Sequence, residues 1–129
     1  MKLLLEILRP LGIDESQIPK VFISGLSVNS KSTNQGDLFI AIQGTNENGH
    51  SYITDAINSG AAAVITNKSY SENAEVPIFK VENSRKALSI IASEFYDNPS
   101  RSMTVIGITG TNGKTTTAFL VKSILENAN

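Results

Sequence analysis

The chain has no cysteine, a single histidine, no cluster of lysine and arginine, and no long uninterrupted apolar run. Without cysteine, neither a disulfide nor a thiolate metal site is available, and that absence is neutral about compartment. His50 stands alone, with no second ligand and no nucleophile to serve, so it reads as a loop-packing residue at a helix entry. Eleven basic residues against twelve acidic ones leave a net charge of −1. With the basic residues scattered, the electrostatic footprint of a nucleic-acid binder is missing. No apolar stretch approaches the roughly 20 residues of a membrane span. The leucine-rich start is interrupted by Glu6 and Arg9 and is followed by no small-residue cleavage site, unlike a signal peptide. Leu4, Leu8 and Leu11 instead share a helical face, predicting a short amphipathic helix that ends near Pro10 and Gly12. The expectation is a soluble, cytoplasmic protein that engages neither membrane nor nucleic acid. Its 129 residues suit one domain, or a small domain joined to part of another.

What is present alternates between two periodicities. Val21–Ile23 and Leu26–Val28 are short β-prone segments on either side of Gly25. Residues 37–42 read as a buried strand, and a helix capped by Ser51 is expected to run to Asn58, with Ile53, Ala56 and Ile57 on one face. Gly60 suits its C-terminal stop, and residues 61–65 form a second strand, completing a β-α-β unit over 37–66. Residues 77–81 form a third. From Asn83 or Ser84 a further helix is capped, with Ala87, Leu88, Ile91, Ala92 and Phe95 at helical spacing, and Asp97-Asn-Pro-Ser100 ends it. Met103–Thr109 reads as a nearly continuous apolar strand, and residues 114 to about 127 as a helix. The fold class is therefore α/β. A boundary near residues 82–84 separates a small first domain, 1–82, from the opening of a second, 83–129: helix, strand, phosphate loop and helix. The neighbours that a nucleotide-binding sheet needs are not among these residues. Self-association through the exposed strand of this second part is the expected consequence.

The chemistry is concentrated in Val105-Ile-Gly-Ile-Thr-Gly-Thr-Asn-Gly-Lys-Thr-Thr-Thr117. Gly107, Gly110 and Gly113 allow a tight turn and a close approach to an anion. The turn opens a helix whose free N–H groups favour phosphate. Lys114 adds a mobile cation, and the hydroxyls of Thr115 and Thr116 suit a magnesium shell. The strict phosphate-loop spacing wants glycine at position 108, where this chain has Ile108. Even so, a lysine and two threonines directly after the last glycine serve no turn geometry. Gly110, Thr111, Asn112, Gly113, Lys114, Thr115 and Thr116 are the candidate ATP-binding residues, with Lys114 the catalytic candidate.

Thr109-Gly-Thr-Asn-Gly-Lys-Thr-Thr116 resembles the phosphate loop of the Mur ligases, the ATP-dependent amide ligases of peptidoglycan precursor synthesis. Phe95-Tyr-Asp-Asn-Pro-Ser100, Gln35-Gly-Asp-Leu-Phe-Ile-Ala41, Gly44, Asn48-Gly-His50 and Asp55-Ala-Ile-Asn-Ser-Gly-Ala61 fall in the order and spacing of the same family. Within it they are most similar to the branch that adds the third amino acid. The resemblance implies that the first domain holds the uridine diphosphate of UDP-N-acetylmuramoyl-dipeptide through Val28, Ser30 and the loop Thr45, Asn46, Glu47. It further implies that ATP phosphorylates the dipeptide carboxylate. A diamino acid, lysine or diaminopimelate, then attacks the acyl phosphate, with ATP and Mg2+ held at the phosphate loop. Asn29-Ser30-Lys31 departs from the usual Asp-Ser-Arg, giving up one formal charge and replacing a planar fork by a point charge. Further magnesium ligands, the adenine pocket and the amino-acid domain of the family lie later in its chains, so this stretch alone is expected to be inactive. Two alternatives stand beside this reading. One is another Mur or folylpolyglutamate-type ligase, against which the three threonines at 115–117 and Thr111-Asn112 argue. The other is a non-catalytic nucleotide-sugar binding module.

Overall fold

The computed structural model describes residues 1–42, 52–70 and 73–128. In chain order the elements are β1 (Lys2–Leu3), α1 (Leu4–Leu8), β2 (Phe22–Ile23), β3 (Gly25–Ser27), β4 (Asp37–Ile40), α2 (Ile53–Asn58), β5 (Ala63–Thr66), β6 (Ile78–Lys80), α3 (Ser84–Phe95) and α4 (Lys114–Asn127). Single turns of 3-10 helix lie at Arg9–Leu11, Glu15–Gln17, Ser30–Ser32 and Pro99–Arg101. The chain divides into two units, Met1–Asn98 and Pro99–Asn129.

In the first unit β3, β4, β5 and β6 pair in that order, and every pair is parallel. All residues of β4 and β5 are buried, which a strand achieves only when both faces of its sheet are covered. The strand period of two sorts their side chains. Leu38, Ile40, Ala63 and Ile65 meet α1 and α3 through Leu4, Ile7, Leu8, Ala87 and Ile91. Phe39 and Val64 meet α2 through Ile53 and Ala56. The result is three layers, with helices on both faces of a parallel sheet, and the expected β-α-β unit at its centre.

Helix boundaries follow local chemistry. The Asn83 side chain accepts a hydrogen bond from the Lys86 N–H at 3.0 Å and caps α3. Gly12, at φ 69°, ends the N-terminal helical segment where the sequence places the stop. The cap expected from Ser51 falls outside the described residues. One element was not foreseen: β1 and β2 pair antiparallel, Lys2 with Ile23 and Leu3 with Phe22, and close a two-stranded ribbon.

The unit division falls after α3, whereas the sequence boundary near residues 82–84 lies before it. Ala87 and Ile91 are fully integrated in the core beneath β4 and β5, so α3 belongs physically to the first unit. A second difference concerns Met103–Thr109, which pairs with no strand among the described residues. A parallel strand exists only beside a neighbour, and here Val105 is 67% exposed. Ile106 and Ile108 line an open groove with Ala118, Val121 and Leu125 of α4. No residue of α4 is buried.

The motifs around Gly36 and Gly60 have a structural explanation. Gly36 N–H donates to the Gly60 carbonyl at 2.9 Å, and Ala62 N–H donates to the Asp37 carbonyl at 2.8 Å, joining the starts of β4 and β5. Gly60 has φ 104°, and a Cβ there would come within 2.9 Å of the Gln35 Cα. Gly60→Ala therefore combines left-handed strain with a backbone clash. It should lower unfolding stability in urea by about 1–3 kcal/mol. A change under ~0.5 kcal/mol, the usual range for a neutral surface site, would contradict this account of the junction.

Candidate functional site

Parallel sheets of this kind bind ligands outside the carboxyl ends of their strands. At the end of β3 the chain enters the 3-10 turn Ser30–Ser32, and Asn29 organises it. The Asn29 Oδ1 accepts from the Lys31 N–H at 3.0 Å, and the Asn29 carbonyl accepts from the Thr33 hydroxyl at 3.1 Å. Ser27 and Thr33 hydroxyls pair at 2.9 Å beneath it. A capping role needs an acceptor oxygen, which asparagine keeps when it replaces aspartate. Asn29 thus organises the turn without contributing a charge.

This turn fixes Ser30, 6% exposed, beside Lys31, which is exposed. The two share a groove of about 360 Å³ with Tyr52, Asp55, Asn58 and Ser59 of the α2 region. Val28 is 50% exposed and lies outside that lining. The candidates Thr45, Asn46 and Glu47, with Gly44 and His50, lie outside the described residues. Tyr52 and Asp55 were not singled out as site residues from sequence. Their signal was the spacing 52, 55, 58–59, which puts polar residues on one side of a helix.

The candidate phosphate loop lies in the second unit. Gly110 and Gly113 have φ of 151° and 75°, conformations that favour glycine, whereas Gly107 has no such requirement. Gly113 is the N-cap of α4, with no side-chain hydrogen bond at the cap and no acidic residue in the first turn. The N–H groups at the start of this helix are therefore left for an external acceptor, at its positive end. The Lys114 ammonium curls back and donates to the Gly110 carbonyl at 2.6 Å, with the Thr111 carbonyl at 3.5 Å. So Gly110, Thr111, Gly113 and Lys114 are one local constellation, with Asn112 in the exposed turn and Thr115 and Thr116 on the first helical turn. Among the described residues no group of three or more His, Cys, Asp or Glu side chains could hold a metal ion.

A family model described as the Mur ligase family catalytic domain matches residues 22–96. The UDP-N-acetylmuramoyl-L-alanyl-D-glutamate–2,6-diaminopimelate ligase of Clostridium perfringens is 43% identical over 91% of this chain and 23% of its own length. The enzyme of the same name from Aquifex aeolicus is 47% identical over 82% of this chain and 22% of its own. Among solved structures, MurF from Acinetobacter baumannii superposes with a TM-score of 0.71 at 25% identity, covering 95% of this chain and 26% of that one. MurF ligase from Thermotoga maritima in complex with ADP gives 0.63 at 36% identity, over 79% and 23%. The chain thus spans about a quarter of the length of the proteins it matches.

The capping role of Asn29 is directly testable. Asn29→Asp should leave stability within ~0.5 kcal/mol, and Asn29→Ala should cost about 1 kcal/mol, the usual value of a lost cap. Thermal unfolding of the two variants beside the unsubstituted chain measures both. An Asn29→Ala variant as stable as the unsubstituted chain would remove the turn's proposed organiser.

Proposed function

This chain belongs to the Mur ligase family, and from that premise we propose that it is the substrate-holding and phosphate-loop portion of an ATP-dependent amide ligase. The reaction would join a diamino acid to UDP-N-acetylmuramoyl-L-alanyl-D-glutamate. Relatives named for diaminopimelate are 43% and 47% identical, against 25% and 36% for the MurF structures, which favours this branch over MurF, and diaminopimelate is the third residue those relatives are named for. The observation that carries the reading is the turn Gly110–Thr116, with left-handed glycines, an uncapped helix start and a lysine already folded over it.

In this proposal each part of the chain has a binding task. The N–H groups at the start of α4 receive the nucleotide phosphates, and Lys114 exchanges its Gly110 carbonyl for a phosphate oxygen. Positioning and charge neutralisation are the main contributions a protein makes to phosphoryl transfer. Thr115 and Thr116 offer hard hydroxyl oxygens to Mg2+, which suits that ion. With no carboxylate cluster among the described residues, the metal would depend on nucleotide phosphates for its remaining ligands. Mg2+ bound there supplies shielding of phosphate charge. Ser30, Val28 and the 45–47 loop would hold the uridine diphosphate, with Lys31, Tyr52 and Asp55 added to that site by their shared groove. In this reading the first unit, α3 included, is the UDP-binding part, and the residues from Pro99 on open an ATP-binding one.

Substrates built on ATP and UDP favour a cytoplasmic location, and among the described residues no helix is long and apolar enough to cross a membrane. Self-association is supported by the exposed apolar residues Val105, Ile106, Phe119, Leu120, Ile124 and Leu125 of the second unit. Hydrogen exchange at several protein concentrations should show protection of 103–125 rising with concentration while 37–66 stays constant. Concentration-independent protection of both would count against self-association.

Calorimetric titration with Mg·ADP should show binding that Lys114→Ala weakens by about ten- to a hundredfold, the value of one charge-assisted hydrogen bond. Mg2+ alone should give no measurable heat. Unchanged nucleotide affinity in the variant, or tight magnesium binding without nucleotide, would overturn the assignment.

A further inference from the structure

Helix α3 ends in an unusual way. Asp97 and Asn98 have φ of 62° and 51°, the only non-glycine residues with positive φ among the described residues. Asp97 N–H donates to the Glu94 carbonyl at 3.2 Å, and Asn98 N–H to the Ser93 carbonyl at 2.7 Å. This is the Schellman ending of a helix, in which glycine is the usual left-handed residue because it pays no Cβ penalty. Here aspartate and asparagine take the left-handed positions, and both side chains are engaged. The Ser93 hydroxyl donates to the Asn98 Oδ1 at 2.8 Å, and the Asn98 Nδ2 donates to the Glu94 Oε1 at 3.0 Å. The Lys2 ammonium, on β1, meets the Asp97 carboxylate at 2.5 Å and also donates to the Glu94 carbonyl. A cation thus sits at the negative end of α3. Pro99 follows, where the first unit ends.

A glycine pair would make the turn but none of these side-chain bonds. We infer that Lys2, Asp97 and Asn98 form a latch that fastens the last turn of α3 to the N-terminal strand and fixes where the chain leaves the first unit. Asn98 is its positioning residue, the last residue of the first unit. The inference needs no ligand and stands apart from the functional reading above. It identifies the anchored end of the connection between the Ser30 groove and the phosphate loop.

The test uses ligand-free protein and the variants Asn98→Ala, Asn98→Gly and Lys2→Met, followed by amide hydrogen exchange and 15N relaxation. In the unsubstituted chain, order should persist through Asn98 and fall from Ser100. All three variants should shift that fall back towards Glu94. Exchange at Tyr96, Asp97 and residue 98 should speed up at least ~tenfold, as local opening without global unfolding. Protection of Leu38, Ile40 and Ile65 should be unchanged. The Gly variant separates two causes, since it relieves backbone strain while deleting the side-chain bonds. Full protection in Asn98→Gly would overturn the latch and leave backbone geometry as the whole explanation. An unmoved boundary in Lys2→Met would remove Lys2 from it. Equal loosening of the whole first unit would show core stabilisation instead of a latch.

Discussion

The first unit depends on the pairing of β4 with β5 at the centre of a sheet covered on both faces. Neither strand has an exposed side chain, so their backbone hydrogen bonds have nowhere to go but across the ladder. Register is then fixed by chemistry. A one-residue slip would drive Phe39 and Val64 into the space filled by α1 and α3, and Leu38 and Ile65 into that of α2. Polar groups that could meet a ligand are consequently expelled to the strand ends. That is why Asn29, Ser30 and Lys31 lie in the crossover after β3, where Ser30 and Lys31 share a groove with polar residues of the α2 region.

The second unit is organised by a different principle. Its candidate phosphate loop owes nothing to a core: two glycine conformations, one uncapped helix start and one lysine lie together with no buried residue among them. Local backbone geometry can specify an anion cradle without burial, because the donors are main-chain groups. The apolar residues on either side are far from satisfied, with Phe119 68% and Ile124 67% exposed. The site's geometry and the stability of its surroundings are thus separable properties. The latch at Asp97 and Asn98 stands at the junction between these two kinds of order.

Much of this was legible in the residues. Alternating helical and strand periods marked the α/β class, Asn83 or Ser84 marked the start of α3, and Gly60 marked the stop after α2. The glycine-lysine-threonine turn was readable because its chemistry is local. What escaped were features decided by distant partners. The pairing of Lys2 with Ile23 carries no local signal, and neither does the placement of α3 in the first core. Met103–Thr109 has strand composition, yet a strand is a relation to a neighbour that composition cannot supply. Asp97-Asn-Pro reads in sequence as a simple helix stop, since the engagement of Asp97 by Lys2 depends on tertiary contact. In the Ser30 groove, Tyr52 and Asp55 were hidden because helix-face polarity ordinarily means solvent.

The central claim is that Gly110–Thr116 holds a nucleotide and, through it, a divalent cation. Paramagnetic relaxation tests this most directly, with Mn2+ in place of Mg2+ and 15N-labelled protein observed with and without ADP. The account predicts that amide signals of Gly113, Lys114, Thr115 and Thr116 broaden selectively when Mn2+ and ADP are both present, and that Mn2+ alone leaves them sharp. Broadening centred elsewhere in the chain, or at these residues equally without nucleotide, would contradict it.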